Sequence, residues 1–184
     1  VLVKDFLFDN EAVFNLNVVN SLAVIRSLKK YNIPELSIKW PNDIMSANKK
    51  IGGILIENSI KGDGTITSIV GLGLNVNQTE FENLPRASSL ALICSAVFDK
   101  EEILFSIVSE MEEIIADYSA KASFLWKEYT NELFKIGIPT AFADENENNF
   151  MGIIKGVSAI GKLQIQLEDD SICEYSLKEV LMLY

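Results

Sequence analysis

Histidine is missing altogether from these 184 residues. That excludes Ser-His-Asp and Cys-His nucleophilic catalysis, and every zinc site that uses imidazole. Proton transfer in any reaction here falls to Asp, Glu, Lys or the substrate itself. Cysteine is scarce: Cys94 and Cys173 form no CxxC pair, and two thiols in a chain of this size make no disulfide framework. The cytoplasm is therefore the expected compartment. No apolar run approaches the ~18–20 residues that span a bilayer. Residues 1–8 lack the basic head and small-residue cleavage site of a signal peptide, so no membrane partner is expected. Positive charge is also in deficit. The 16 Lys and Arg against 26 Asp and Glu leave a net charge of −10, which repels polyanions and argues against nucleic-acid binding. A phosphate site in such a chain must be local, built from a few placed lysines.

What is present suits a packed core: 48% of residues are hydrophobic and 23% charged. Residues 1–8 read as a strand, and Asp9-Asn10 offer a helix N-cap. Val13, Phe14, Val18, Leu22, Ile25 and Leu28 fall at helical spacing, predicting a helix over 11–31 with Lys29-Lys30 at its C-terminus. A short strand over 36–40 ends in Pro41-Asn42-Asp43. Asn48-Lys49-Lys50 reads as a turn. Strands over 51–57 and 65–76 flank the turn Lys61-Gly62-Asp63-Gly64. Helices are predicted over 88–98 and 100–135, with Asp99 capping the second and a break near Ser119. From Gly137 the pattern changes to short β runs at 140–143, 150–157, 163–167, 172–176 and 180–183. The chain thus divides into an α+β part, 1–136, and a small all-β domain, 137–184.

Three clusters carry candidate chemistry. In Lys39-Trp40-Pro41-Asn42-Asp43 a strand ends in a rigid turn bearing polar side chains, with Lys39 at the strand end where α/β architectures often meet ligands. An ordinary Pro turn beside a solvated lysine gives the same pattern. In Lys50-Ile51-Gly52-Gly53-Ile54-Leu55-Ile56-Glu57 paired glycines interrupt a β-rich run. They mark either a bulge or a close ligand approach, and the lysine before them faces an anion or plain solvent. In Val70-Gly71-Leu72-Gly73-Leu74-Asn75-Val76-Asn77 the alternating glycines share one strand face and leave a groove without side chains. Asn75 continues that face, with the donor and acceptor that adenine recognition needs. Relief of crowding in a sheet is the plainer account. This is not GxGxxG, and no helix evidently follows.

Together and in order, KWPND, KIGGILIE and VGLGLNVN resemble the biotin protein ligase family, over essentially the whole chain. Arg86-Ala87-Ser88-Ser89-Leu90 resembles the family's next segment. Met151-Gly152-Ile153-Ile154-Lys155-Gly156-Val157 is similar to part of its C-terminal SH3-like barrel. One departure is clear. The family carries a GRGR-like biotin loop upstream of the region that begins here, and no such motif occurs in this sequence. The resemblance therefore implies an N-terminally truncated ligase whose fragment is impaired.

The fold implied is α+β: a mixed β-sheet flanked by helices, of the class II synthetase-like biotin/lipoate ligase type, plus the small barrel. The activity implied is joining biotin to a lysine of a biotin carboxyl carrier protein through biotinyl-AMP, with ATP and Mg²⁺. Lys50 matches the family lysine that contacts the carboxylate and α-phosphate, and Lys39 a second phosphate contact. Asn42 and Asp43 match residues lining the nucleotide site, Asp43 orienting Mg²⁺, a lysine or the incoming amine. Gly52, Gly53 and Leu55 match the strand that backs biotin. Gly71 and Gly73 match positions of close ligand approach, Asn75 the adenine reader, and Arg86 a cover over the adenine. Carrier domains of acetyl-CoA carboxylase are the partners implied, and the resemblance allows a homodimer. A lipoate-type ligase shares this fold and chemistry. A non-catalytic carrier-binding fragment is the rival of another kind.

Overall fold

The computed structural model describes residues 14–63 and 66–184. The strand expected over 1–8, its Asp9-Asn10 cap and the start of the first helix lie outside the described residues, as do Gly64 and Thr65.

Helix α1, Phe14–Lys30, is buried over most of its circumference, through Val18, Val19, Leu22, Val24, Ile25 and Leu28 together with Asn17, Asn20, Ser21 and Ser27. A helix apolar on so many sides belongs in the middle of a structure. On one side α1 meets α3, Lys100–Asn131, and on another it meets strands β1, Leu36–Lys39, and β3, Lys49–Ile60. Burial of Ile103, Ile107, Ile114 and Leu125 fixes the inner face of α3. Charged pairs rim the helix contact: Arg26 holds Glu128 in a two-pronged bond at 2.9 and 2.5 Å, and Lys29 meets Glu132 at 2.5 Å. Lys30 holds the nearly buried carboxylate of Glu110 at 2.6 Å.

The expected break near Ser119 is absent, and α3 runs unbroken for 32 residues. Ser119 is exposed, so no packing depends on it. The Asp117–Lys121 pair, four residues apart at 2.5 Å, bridges the same turn. The helix predicted over 88–98 shrinks to α2, Leu90–Cys94. Ser89 caps it by accepting from Leu92 N, and Ser95 in the left-handed region ends it.

The first sheet has the order β1-β2-β3-β4, with β2 over Asp43–Ser46 and β4 over Ile66–Leu74. Every pairing between these strands is antiparallel. The strand β2 has no counterpart in the sequence reading, and the turn expected at 48–50 sits earlier. Ala47, at φ 49°, makes the reversal, and Lys49 and Lys50 already belong to β3.

The five C-terminal β runs all appear: β5 Pro139–Asp144, β6 Asn149–Val157, β7 Leu163–Gln166, β8 Ile172–Tyr175 and β9 Val180–Leu183. They pair antiparallel in the order β8-β7-β6-β5-β9, a small barrel closed over Phe142, Ile154, Leu163, Ile165 and Met182. The buried indole of Trp40 ties this barrel to the first sheet, donating from Nε1 to the Gly161 carbonyl at 2.9 Å. Among the described residues no helix is long and apolar enough to cross a membrane.

Candidate functional site

Side chains directly opposite one another across a sheet share a face. Lys39 pairs with Asp43, Asp43 with Gly53, and Gly53 with Gly73. Four residues singled out from sequence therefore form one row across four strands. Leu55 pairs with Gly71, two positions along, and extends the same face.

Lys50 joins this face through a bulge. Ile44 pairs with Gly52 and Met45 with Lys50, which leaves Ile51 as the extra residue on β3. Lys50 and Gly53 are three positions apart, so strict alternation would put their side chains on opposite faces. A bulge re-aims the side chain. Lys50 Nζ lies 2.5 Å from Asp43 Oδ1, and both groups sit over Gly53. A Cβ on Gly53 would stand 3.5 Å from Asp43 Oδ1 and 3.6 Å from Lys50 Nζ. The displaced Ile51 points into the core, fully buried.

The four glycines divide by what surrounds them. A Cβ on Gly52 would meet the Gly73 carbonyl oxygen at 2.7 Å, so Gly52 lets β4 approach β3. A Cβ on Gly71 or Gly73 would meet nothing closer than 3.8 Å among the described residues, and both glycines are exposed there. They leave an open, side-chain-free floor beside the cations, with the exposed Leu55 as its apolar part.

Arg86 arrives from a loop. Lys50 N donates to Arg86 O at 2.8 Å, Ser88 N returns a bond to Lys50 O at 2.9 Å, and Lys49 Nζ holds Pro85 O at 2.7 Å. Asn75, one residue past β4, tethers the far end of that loop: its side-chain amide donates to Ser88 O at 3.0 Å. One donor expected to read adenine is thus engaged within the protein. Asn42 likewise works on the backbone, its amide donating to Ile54 O at 2.5 Å while Ile54 N donates to Asn42 O. These two bonds fix the turn that presents Asp43. From the core side, Asn17 Nδ2 donates to Pro41 O at 2.6 Å.

Lys39 thus has one carboxylate, Asp43, and two other cations, Lys50 and Arg86, in its surroundings. Burial pulls the Lys39 ammonium below its ordinary pKa; Asp43 opposes that shift, while Lys50 and Arg86 reinforce it. A concentration of positive charge in a chain of net charge −10 suits a small anionic ligand. No group of three or more Cys, Asp or Glu able to hold a metal occurs among the described residues. A depression of about 350 Å³ with mixed walls lies elsewhere, lined by Leu72, Leu74, Ile103 and Ile107 and also by Lys100 and by Asn75, which was expected on the glycine face. Leu72 and Leu74 alternate with the two glycines, so that depression is on the opposite face of β4 and does not contain the cation row.

The sequence reading missed Tyr184. Its ring centroid lies 5.2 Å from Lys39 Nζ and 4.5 Å from Arg86 Cζ. A lone aromatic after an apolar run gives no sign of such a role; only tertiary folding brings it to the cations.

Comparison with known proteins places the chain among relatives of one kind. Residues 1–75 match the model of the biotin/lipoate A/B protein ligase family. The bifunctional ligase/repressor BirA of Bacillus subtilis is 27% identical over 165 residues, covering 84% of this chain and 49% of that protein. A biotin–[acetyl-CoA-carboxylase] ligase of Mycobacterium tuberculosis is 28% identical over 151 residues, covering 80% of this chain and 55% of that protein. The chain thus spans about half the length of these relatives. The structure of a biotin protein ligase from Aquifex aeolicus in complex with biotin and ATP superposes with a TM-score of 0.75 at 27% identity, over 96% of this chain and 73% of the other.

Proposed function

Because this chain is a member of the biotin protein ligase family, we propose that it carries the adenylate-forming site of an ATP-dependent biotin ligase. The observation that carries this reading is the row Lys39–Asp43–Gly53–Gly73 with Lys50 held above Gly53. A relative of this fold is described with biotin and ATP bound, which supports those two substrates.

In the first step a biotin carboxylate oxygen attacks the α-phosphorus of ATP. The bond from that phosphorus to the bridging oxygen breaks, and pyrophosphate leaves with the electron pair. Two anions must meet, so the barrier depends on cations already in place. Lys50 lies between the carboxylate and the α-phosphate, oriented by Asp43. Lys39 contacts a phosphate from the neighbouring strand. Gly53 and Leu55 back the biotin, with Gly52 keeping the strands close enough to form that wall. Gly71 and Gly73 admit the ligand against the backbone, and Asn75 and Arg86 border the adenine. In the second step a carrier lysine amine attacks the acyl carbon, the bond to the AMP oxygen breaks, and the nitrogen loses its proton to solvent. The carrier is a biotin carboxyl carrier protein, in keeping with relatives named biotin–[acetyl-CoA-carboxylase] ligases. Mg²⁺ would come with ATP, held mainly by the phosphates, and would shield the leaving pyrophosphate; among the described residues Asp43, paired with Lys50, is the carboxylate of this cluster that could contact it. We place the catalytic part at 1–136 and the barrel at 137–184.

The test measures pyrophosphate release by the full-length protein with ATP and either biotin or lipoate, then the mass of an added carrier domain. Biotin-dependent release and a biotinylated carrier are expected. Activity with lipoate in preference to biotin, or no release with either, would overturn the reading.

A further inference from the structure

The barrel reaches the cation cluster through one side chain. Tyr184 follows β9, and β9 is fixed by pairing with β5 through Phe142–Met182 and Ala141–Leu183. Its ring meets Phe134 edge-on at 5.1 Å. Phe134 is itself clipped to the free side of β1, its N–H donating to Ile38 O at 2.8 Å. The ring is therefore held from the barrel and from the catalytic sheet together. Against it lie the ammonium of Lys39 and the guanidinium of Arg86, at 5.2 and 4.5 Å. Lys39 stands in the strand row and Arg86 on the 84–88 loop, and like charges on separate elements would move apart. The negative face of an aromatic ring attracts both.

We infer that Tyr184 is a positioning residue that gathers Lys39 and Arg86 onto one ring and so sets the nucleotide-binding cations of the site. This rests on the biotin ligase reading above. The barrel then has a specific part in the chemistry: it delivers the aromatic surface that keeps two cations convergent before ATP arrives. The part belongs to the ring and not to the hydroxyl. Binding of ATP should depend on it, and binding of biotin, which is backed by Gly53 and Leu55, should depend on it much less.

The experiment compares the full-length protein with Tyr184→Phe and Tyr184→Leu, reading KM for ATP, KM for biotin, and kcat for biotin-dependent pyrophosphate release, with a thermal melt of each variant. Tyr184→Leu should raise KM for ATP about 5- to 30-fold, the size of one or two cation–π contacts. KM for biotin should stay within about twofold of wild type, and Tyr184→Phe should recover most of the loss. An unchanged KM for ATP in Tyr184→Leu overturns the inference. So does an equal rise in both KM values, or a Phe variant as damaged as the Leu variant. If Tyr184→Leu melts too low to assay, pentafluorophenylalanine at position 184 keeps the ring's shape and reverses its face charge. KM for ATP should rise with it as well, and no rise overturns the inference. Failure of the wild type to release pyrophosphate with biotin would instead sink the ligase reading, so the two failures are distinguishable.

Discussion

Replacing Lys50 with alanine does two separable things, and their sizes follow from its surroundings. It removes a cation from beside two approaching anions, a loss of about 3–4 kcal/mol for one preorganised group. It also strips Asp43 of its partner at 2.5 Å. An uncompensated carboxylate roughly 5 Å from an incoming phosphate repels it by about 3 kcal/mol at an effective dielectric of ~20. The single mutant Lys50→Ala should therefore slow adenylate formation by roughly 10⁴- to 10⁵-fold. The double mutant Lys50→Ala with Asp43→Asn keeps the first loss and removes the second, so it should be about 10- to 100-fold faster than Lys50→Ala alone. Asp43→Asn by itself should cost no more than about tenfold, because Lys50 remains charged and in place. Single-turnover formation of biotinyl-AMP in the full-length protein measures all three. A double mutant as slow as Lys50→Ala would show that Asp43 does more than hold the lysine, and a nearly wild-type Lys50→Ala would refute the site.

The glycines should separate by assay. Gly52→Ala should lower thermal stability by about 1–3 kcal/mol, since its Cβ would press on the Gly73 carbonyl, whereas Gly73→Val should leave the melt nearly unchanged and weaken ligand binding measured by calorimetry. Trp40→Phe should lose about 1 kcal/mol of stability with the bond to the Gly161 carbonyl, read from denaturant unfolding. Lys39 should show in pH profiles. Its folded pKa is lowered, so its charge and the rate that depends on it should fall at a lower pH than for an ordinary lysine; Lys39→Arg should move that falling limb to higher pH. The stability linkage has the opposite sense. The cost of keeping Lys39 charged while partly buried is present at neutral pH, and is relieved as pH rises from its lowered folded pKa to its unfolded one.

The strands of the C-terminal barrel were legible because each is short, alternating and bounded by polar turns, and the structure has all five within a residue or so of the reading. Helix α1 was legible from its apolar spacing. The break near Ser119 was misread because local composition says little about a solvent-facing turn on a helix held from its other side by Ile114 and Leu125. Strand β2 was missed because four residues beside a Pro turn carry too little pattern. In the site, the motif order drew attention to Lys39, Asp43, Lys50, Gly53 and Gly73, and the register brings them together. What it could not supply was the division of labour among neighbours. Gly52 and Gly53 look alike in sequence, yet one faces a carbonyl and the other an ion pair. Asn42 and Asn75 look like ligand readers, yet each has a backbone carbonyl as its partner. Tyr184 had no local signal at all.

The extra residue at Ile51 has a consequence for how this stretch can vary over time. Pairing along β3 switches phase once, between Met45–Lys50 and Ile44–Gly52. Side-chain identity on either side of the switch can drift, because a methylene more or less on Ile54 or Ile56 perturbs only its own neighbours. Chain length between Lys50 and Gly53 drifts less freely. Loss of the Ile51 codon would restore regular alternation with Lys50 two positions from Gly53, so the ammonium would keep its side of the sheet while a fully buried side chain left the core. A substitution at Ile51 need only stay apolar and of similar volume, whereas a deletion removes that filling altogether. Spacing in this window is therefore held by the core beneath the sheet, and it is a more durable signature than its letters.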